Sequence, residues 1–123
     1  MLEKPKFDND KVIAVKSMQE LTEIIKNNEN KFIVMDFWAE WCNPCKAFRK
    51  IYERSFAKFK KDFIFLEINT EIIPEITSAL DIAGIPLLIF FKNGREIYRR
   101  GGILSKSEFE GILSNLASGK SLI

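Results

Sequence analysis

A chain of 123 residues is long enough for one domain with a real core and too short for two. With 46% hydrophobic and 29% charged residues it belongs among globular proteins and not among disordered ones. Its 19 basic residues nearly balance 17 acidic ones, and the +2 net charge is interspersed. That pattern gives no footprint for nucleic acid or for a membrane surface.

The predicted elements follow in chain order. Residues 1–10 are charged and read as an extension, leaving 11–123 as the domain. Residues 12–15 form a short β-prone run. Ser17 and Glu20 have capping-box spacing, and Met18, Leu21, Ile24 and Ile25 then recur at helical spacing until Asn27 to Asn30 interrupt them. Residues 32–38, F-I-V-M-D-F-W, are apolar on both faces, as in a strand inside a sheet covered on both sides. From Pro44 to Phe59 the residues Phe48, Ile51, Tyr52, Phe56 and Phe59 mark a second amphipathic helix. Lysines 58, 60 and 61 crowd its end, where cations complement the dipole. Residues 63–68 read as a second interior strand and 74–80 as a short helix. Residues 87–91 and 96–99 flank Asn93-Gly94, a hairpin signal. Ser105 and Glu108 form a second capping box, ahead of a helix burying Phe109, Ile112, Leu113 and Leu116.

The order is β-α-β-α-β-α-β-β-α. It predicts an α/β fold with a mixed central sheet and helices on both faces, the early strands parallel and the final hairpin antiparallel.

The chemistry is constrained by what is missing. There is no histidine, which removes Ser-His and Cys-His dyads and histidine metal sites. The only cysteines, Cys42 and Cys45, form a C-x-x-C. That spacing suits redox work, or half of a metal site. Cys42 falls between an interior strand and a helix, so its sulfur is expected at the helix N-terminus. Free N–H groups and the dipole there favour a thiolate, below the ~8.5 of a free thiol. Lys46 is expected to add to this. Cys42 is the better nucleophile. Cys45, one turn on and pointing inward, can attack the mixed disulfide that results. Pro44 stiffens the ring between them. Asp36 interrupts an apolar strand, and a carboxylate buried there needs a partner or a raised pKa.

The stretch D-F-W-A-E-W-C-N-P-C-K, residues 36–46, resembles the active site of the thioredoxin family, whose usual form is W-C-G-P-C-K. The similarity runs from about Phe32 to Leu116. It takes in Gly84-Ile85-Pro86, the F-K-N-G at 91–94 and the G-I-L-S-K at 102–106. The resemblance implies the thioredoxin fold and a cis Ile85–Pro86 bond whose backbone receives an extended substrate peptide; otherwise Pro86 merely opens a strand. It implies an apolar substrate rim of Trp41, Gly84, Ile85 and Gly102, against partial core packing for Trp41. Trp38 matches a tryptophan packed beside the site. Asp36 matches a buried proton relay for Cys45, against a role as a polar plug. Two departures stand out. Asn43 replaces a glycine, which bears on the redox potential. Glu67 replaces a usual lysine facing Asp36, which suggests a coupled carboxylate pair.

The expected function is reduction of protein disulfides by dithiol–disulfide exchange. Client proteins are the substrates, and an external reductase of the thioredoxin-reductase type recharges the pair. No nucleotide-binding glycine signature is present, so no cofactor is expected. The alternatives are a disulfide isomerase or oxidant of the same fold, and a non-catalytic metal-binding or scaffold module. Two cysteines supply only half of a structural zinc site. No apolar run approaches the ~20 residues of a bilayer span, and the start has no secretory pattern, so a cytoplasmic protein without membrane or nucleic-acid partners is expected. No oligomer interface can be read, and the chain is expected to act as a monomer.

Overall fold

The computed structural model describes residues 10–119. The extension expected at 1–10 therefore lies, Asp10 apart, outside the described residues. The elements are β1 (Ile13–Val15), α1 (Met18–Asn27), β2 (Phe32–Trp38), α2 (Asn43–Phe59), β3 (Phe63–Asn69), α3 (Glu75–Ala79), β4 (Leu87–Lys92), β5 (Arg95–Gly101) and α4 (Lys106–Ala117). All nine follow the order read from the sequence, with ends moved by a residue or two.

The sheet order is β1-β3-β2-β4-β5. The apolar strands β3, β2 and β4 occupy its interior, where both faces need cover. The pairs β1–β3 and β2–β3 are parallel, and β4–β5 is antiparallel. One connection departs from the simple reading of helices as parallel crossovers. After the short α3, β4 runs antiparallel to β2. A five-residue helix with its flanking loops turns the chain around instead of carrying it back to the starting edge.

Alternate side chains along each strand enter two separate cores. Ile33, Met35 and Phe37 of β2, with Ile64, Leu66 and Ile68 of β3, pack beneath Leu21 and Ile24 of α1 and Ile76 of α3. Val34, Phe63, Phe65, Leu88 and Phe90 face the other way, toward Phe48 and Tyr52 of α2 and Phe109 and Leu113 of α4. Helices thus cover both faces.

Local signals explain the ends. Asn93 and Gly94 both take positive φ, 55° and 74°, as a two-residue hairpin turn with the strands' right-handed twist requires. Ser105 and Glu108 form the full reciprocal capping box. At α1 the box is only half made. Ser17 Oγ accepts the Glu20 N–H at 3.1 Å, but the Glu20 carboxylate reaches past the cap to the N–H of Lys16 at 2.9 Å.

Candidate active site

β2 ends at Trp38, and the chain turns through Ala39 to Trp41 to start α2 against the same sheet face. The Cys42 N–H donates to the Ala39 C=O at 3.1 Å, which closes the turn. Cys42 then occupies the N-cap of α2 with an extended backbone, and its Sγ accepts the N–H of Cys45 at 3.3 Å. A sulfur thus takes the position usually held by a serine or aspartate oxygen, where an anion is favoured. Asn43 and Pro44 form the exposed first turn, and Pro44 loses no hydrogen bond there.

Cys42 and Cys45 are joined as a disulfide with Cα atoms 5.3 Å apart, and α2 runs unbroken past them. Neither is widely exposed, at 3% for Cys42 and 1% for Cys45. Lys46 is exposed, and its ammonium pairs with Glu40 at 3.6 Å, so its charge is shared with a carboxylate.

The rest of the expected rim comes from the other end of the chain. The Ile85–Pro86 bond is cis and Pro86 is buried. The Pro86 C=O accepts the N–H of Gly102 at 3.0 Å, which ties the loop before β4 to the end of β5. Gly102 has φ +86°, a conformation that L side chains rarely adopt. Gly84, Ile85, Pro86 and Gly102 line an open cleft of about 400 Å³, completed by Asp81, Ala83, Leu87, Arg99 and Gly101. Trp41 is 68% exposed, which excludes core packing for it. The cysteines and Trp41 do not line this cleft.

Beneath α2 lies the polar exception to the aromatic core. Asp36 is 2% exposed, and Glu67 stands beside it at the paired position of β3. Burial, and then the Glu67 charge, push the Asp36 carboxyl up to about 7, while Arg49 pulls the other way. Arg49 lies on α2 one turn beyond Cys45, with its guanidinium 4.0 Å over the Trp38 ring and 3.8 Å from Glu67. Farther along α2, the buried Tyr52 hydroxyl donates to the C=O of Leu66 at 2.6 Å and of Val34 at 3.0 Å. Burial raises the Tyr52 pKa well above its ordinary value.

The sequence reading placed Cys42, Cys45, Asp36, Trp41 and the Pro86 loop. It missed Arg49, because an arginine on an amphipathic helix reads as solvated surface. It also missed Arg99, whose guanidinium holds Glu96 and the C=O groups of Leu80 and Asp81. No local pattern announces that contact. Among the described residues there is no group of three or more His, Cys, Asp or Glu that could hold a metal, and no helix is long and apolar enough to cross a membrane.

Comparison with known proteins agrees with this geometry. Residues 12–115 match the family model described as Thioredoxin. The chain is 37% identical over 94 residues to a thioredoxin of Mycoplasmoides gallisepticum, covering 76% of this chain and 91% of that one. A thioredoxin of Mycoplasma genitalium is 30% identical over 104 residues, covering 85% and 99%. Among solved structures, Schistosoma mansoni thioredoxin superposes with a TM-score of 0.80 at 27% identity, over 89% of this chain and 98% of that one. The match spans both halves of the site, from the strand that carries Asp36 to the loop closed by Gly102, and the chain belongs to the thioredoxin family.

Proposed function

We propose that this thiol–disulfide oxidoreductase reduces protein disulfides, with Cys42 as the attacking and Cys45 as the resolving sulfur. One observation supports that assignment above the others: Cys42 Sγ is the N-cap of α2 and receives the Cys45 N–H. In the reduced protein, Cys42 thiolate attacks a client disulfide. A Cys42–client S–S bond forms and one client thiolate leaves. Cys45 then loses its proton to Asp36, and its sulfur attacks Cys42 Sγ. The Cys42–Cys45 bond forms as the client bond breaks, and the second client thiolate departs. The client gains two electrons and the pair becomes the disulfide seen here.

Trp41, Ile85 and the glycines Gly84 and Gly102 are the docking rim. An extended client segment lies against the backbone before Pro86 by strand addition. Pro44 holds the first turn, Asn43 adjusts the potential, and Lys46 together with Glu40 sets the charge at the edge. The electrons come from an external reductase of the thioredoxin-reductase type. Among the described residues no cysteine is left over and no disulfide ties distant segments, a pattern suited to a reducing, cytoplasmic setting. The chain acts as a monomer.

Insulin reduction at pH 7 with dithiothreitol as electron source is the test. The protein should accelerate precipitation of the insulin B chain, and Cys42→Ser should return it to the uncatalysed rate. Cys45→Ser should accumulate a mixed disulfide with insulin. Undiminished reduction by Cys42→Ser would refute the assignment.

A further inference from the structure

Among the described residues, two buried side-chain atoms have no hydrogen-bond partner, Asp36 Oδ1 and Arg49 Nη2. One belongs to a carboxyl on β2 that ionises near 7, the other to a guanidinium on α2 that acts on it. A buried polar atom without a partner costs about 1–3 kcal/mol, more when charged, so a pair of them retained beside a redox site calls for an explanation.

The chain path places them. Along β2, Val34, Asp36 and Trp38 share the face under α2, and Phe65 and Glu67 share it on β3. α2 runs back over this face. Arg49 sits over Trp38, and one turn later Tyr52 bonds the carbonyls of Val34 and Leu66. Asp36 lies between those two points, with Cys45 one turn before Arg49. The charged and titratable groups that face Asp36 are Glu67 from β3 and Arg49 and Tyr52 from α2. β4 contributes the apolar Leu88. α4 contributes none, because Glu110 turns to Ser55 and Lys58.

We propose that Arg49 is a positioning residue for the resolving step: held over Trp38 and against Glu67, its guanidinium offsets the Glu67 charge and sets how tightly Asp36 holds the proton it takes from Cys45. The arrangement is directional. Arg49 pairs with Glu67, whose side chain is 21% exposed, and leaves Asp36 Oδ1 without a hydrogen-bond partner, so the proton acceptor stays the more deeply buried carboxyl. A lone Glu67 beside Asp36 would push the proton affinity of Asp36 higher, and a lone Arg49 would suppress it. Burial does most to raise Asp36 toward neutral pH, and the opposed charges of Glu67 and Arg49 adjust that rise. The stacking on Trp38 fixes where the charge stands, which a flexible ammonium would not do as well.

The inference rests on the reading that Asp36 accepts the Cys45 proton, so the experiment separates the two. Arg49→Met keeps the stem packed on Trp38 and removes the charge. The Asp36 carboxyl is titrated by carbon NMR in the oxidised protein, and resolution of a preformed Cys42 mixed disulfide is followed against pH. In Arg49→Met the Asp36 midpoint should rise by about one pH unit, and the resolution profile should rise with it. Arg49→Lys should recover most of both shifts. Glu67→Gln should move both downward, and Arg49→Met/Glu67→Gln should return toward the parent. An Asp36 midpoint unmoved by Arg49→Met overturns the role of Arg49 outright. A midpoint that moves while the resolution profile stays fixed overturns it through Asp36, since the proton then goes elsewhere. Reduction of insulin by the parent protein is independent of either result.

Discussion

The two faces of the sheet are built from different materials. The face under α1 and α3 is packed mainly with Val, Leu, Ile and Met, without a buried charge. The face under α2 and α4 is packed mainly with rings. Tyr52 lies 5.0 Å from Phe65 and 5.7 Å from Phe109, and Phe48 lies 5.3 Å from Phe109. The same face buries a hydroxyl, a carboxylate and part of a guanidinium near the cysteine end of α2. The difference shows how one small domain divides its labour. The aliphatic face gains stability from area removed from water. The aromatic face surrenders some of that gain to keep titratable groups at defined positions beside a disulfide.

Substitutions that act on one face alone should sharpen the contrast. The largest effect is expected at Asp36. Its carboxyl ionises near 3.8 when unfolded and near 7 when folded, so the folded state binds the proton more tightly. Its contribution is complete below pH 3.8 and is lost as the pH rises to about 7, with no further change above. At about 1.4 kcal/mol per unit, the loss is on the order of 4 kcal/mol. Denaturant unfolding of the oxidised Asp36→Asn variant should show a gain of that order over the parent at pH 8.5 and almost none at pH 3.5, while its mixed disulfide resolves more slowly. Equal stability of the two proteins at pH 8.5 would mean that the carboxylate is solvated or paired.

On the aliphatic face the balance should reverse. Ile64 is fully buried against that core, and Ile64→Ala should cost about 3 kcal/mol in urea unfolding. Insulin reduction at 25 °C should change less than twofold. A large loss of activity with folding intact would show that the aliphatic face also positions the site. A smaller effect is expected at the boundary between packing and polarity. Tyr52→Phe keeps the ring stack and leaves two strand carbonyls without their donor, costing about 1–2 kcal/mol at all pH values between 4 and 9. A pH-dependent cost would instead tie Tyr52 to the titration of Asp36.

Much of this was legible before any coordinates, for physical reasons that differ by element. The periodicities of α2 and α4 and the two-faced apolarity of β2 are local, and each gave an element within a residue or two of its observed end. The N-cap role of Cys42 follows from a strand, a short loop and a proline in the first turn. The burial of Asp36 follows from its place inside an apolar run. The direction of β4 was not legible, because a connection of α3's size permits either sense. The partner of Glu20 turned on one residue of loop geometry at Lys16. Arg49 and Arg99 were overlooked because an arginine on a helix or edge strand reads as solvated surface. Only tertiary packing shows one stacked on Trp38 and the other tying down the loop before Pro86.

The asymmetry of the two sulfurs can be measured directly. The protein is reduced, exposed briefly to substoichiometric iodoacetamide at pH 7, quenched in acid and digested, and the single modified cysteine is located by mass spectrometry. The N-cap geometry predicts that the label is almost entirely on Cys42 and is acquired faster than by a free cysteine. Label divided evenly between the two, or found mainly on Cys45, would contradict it.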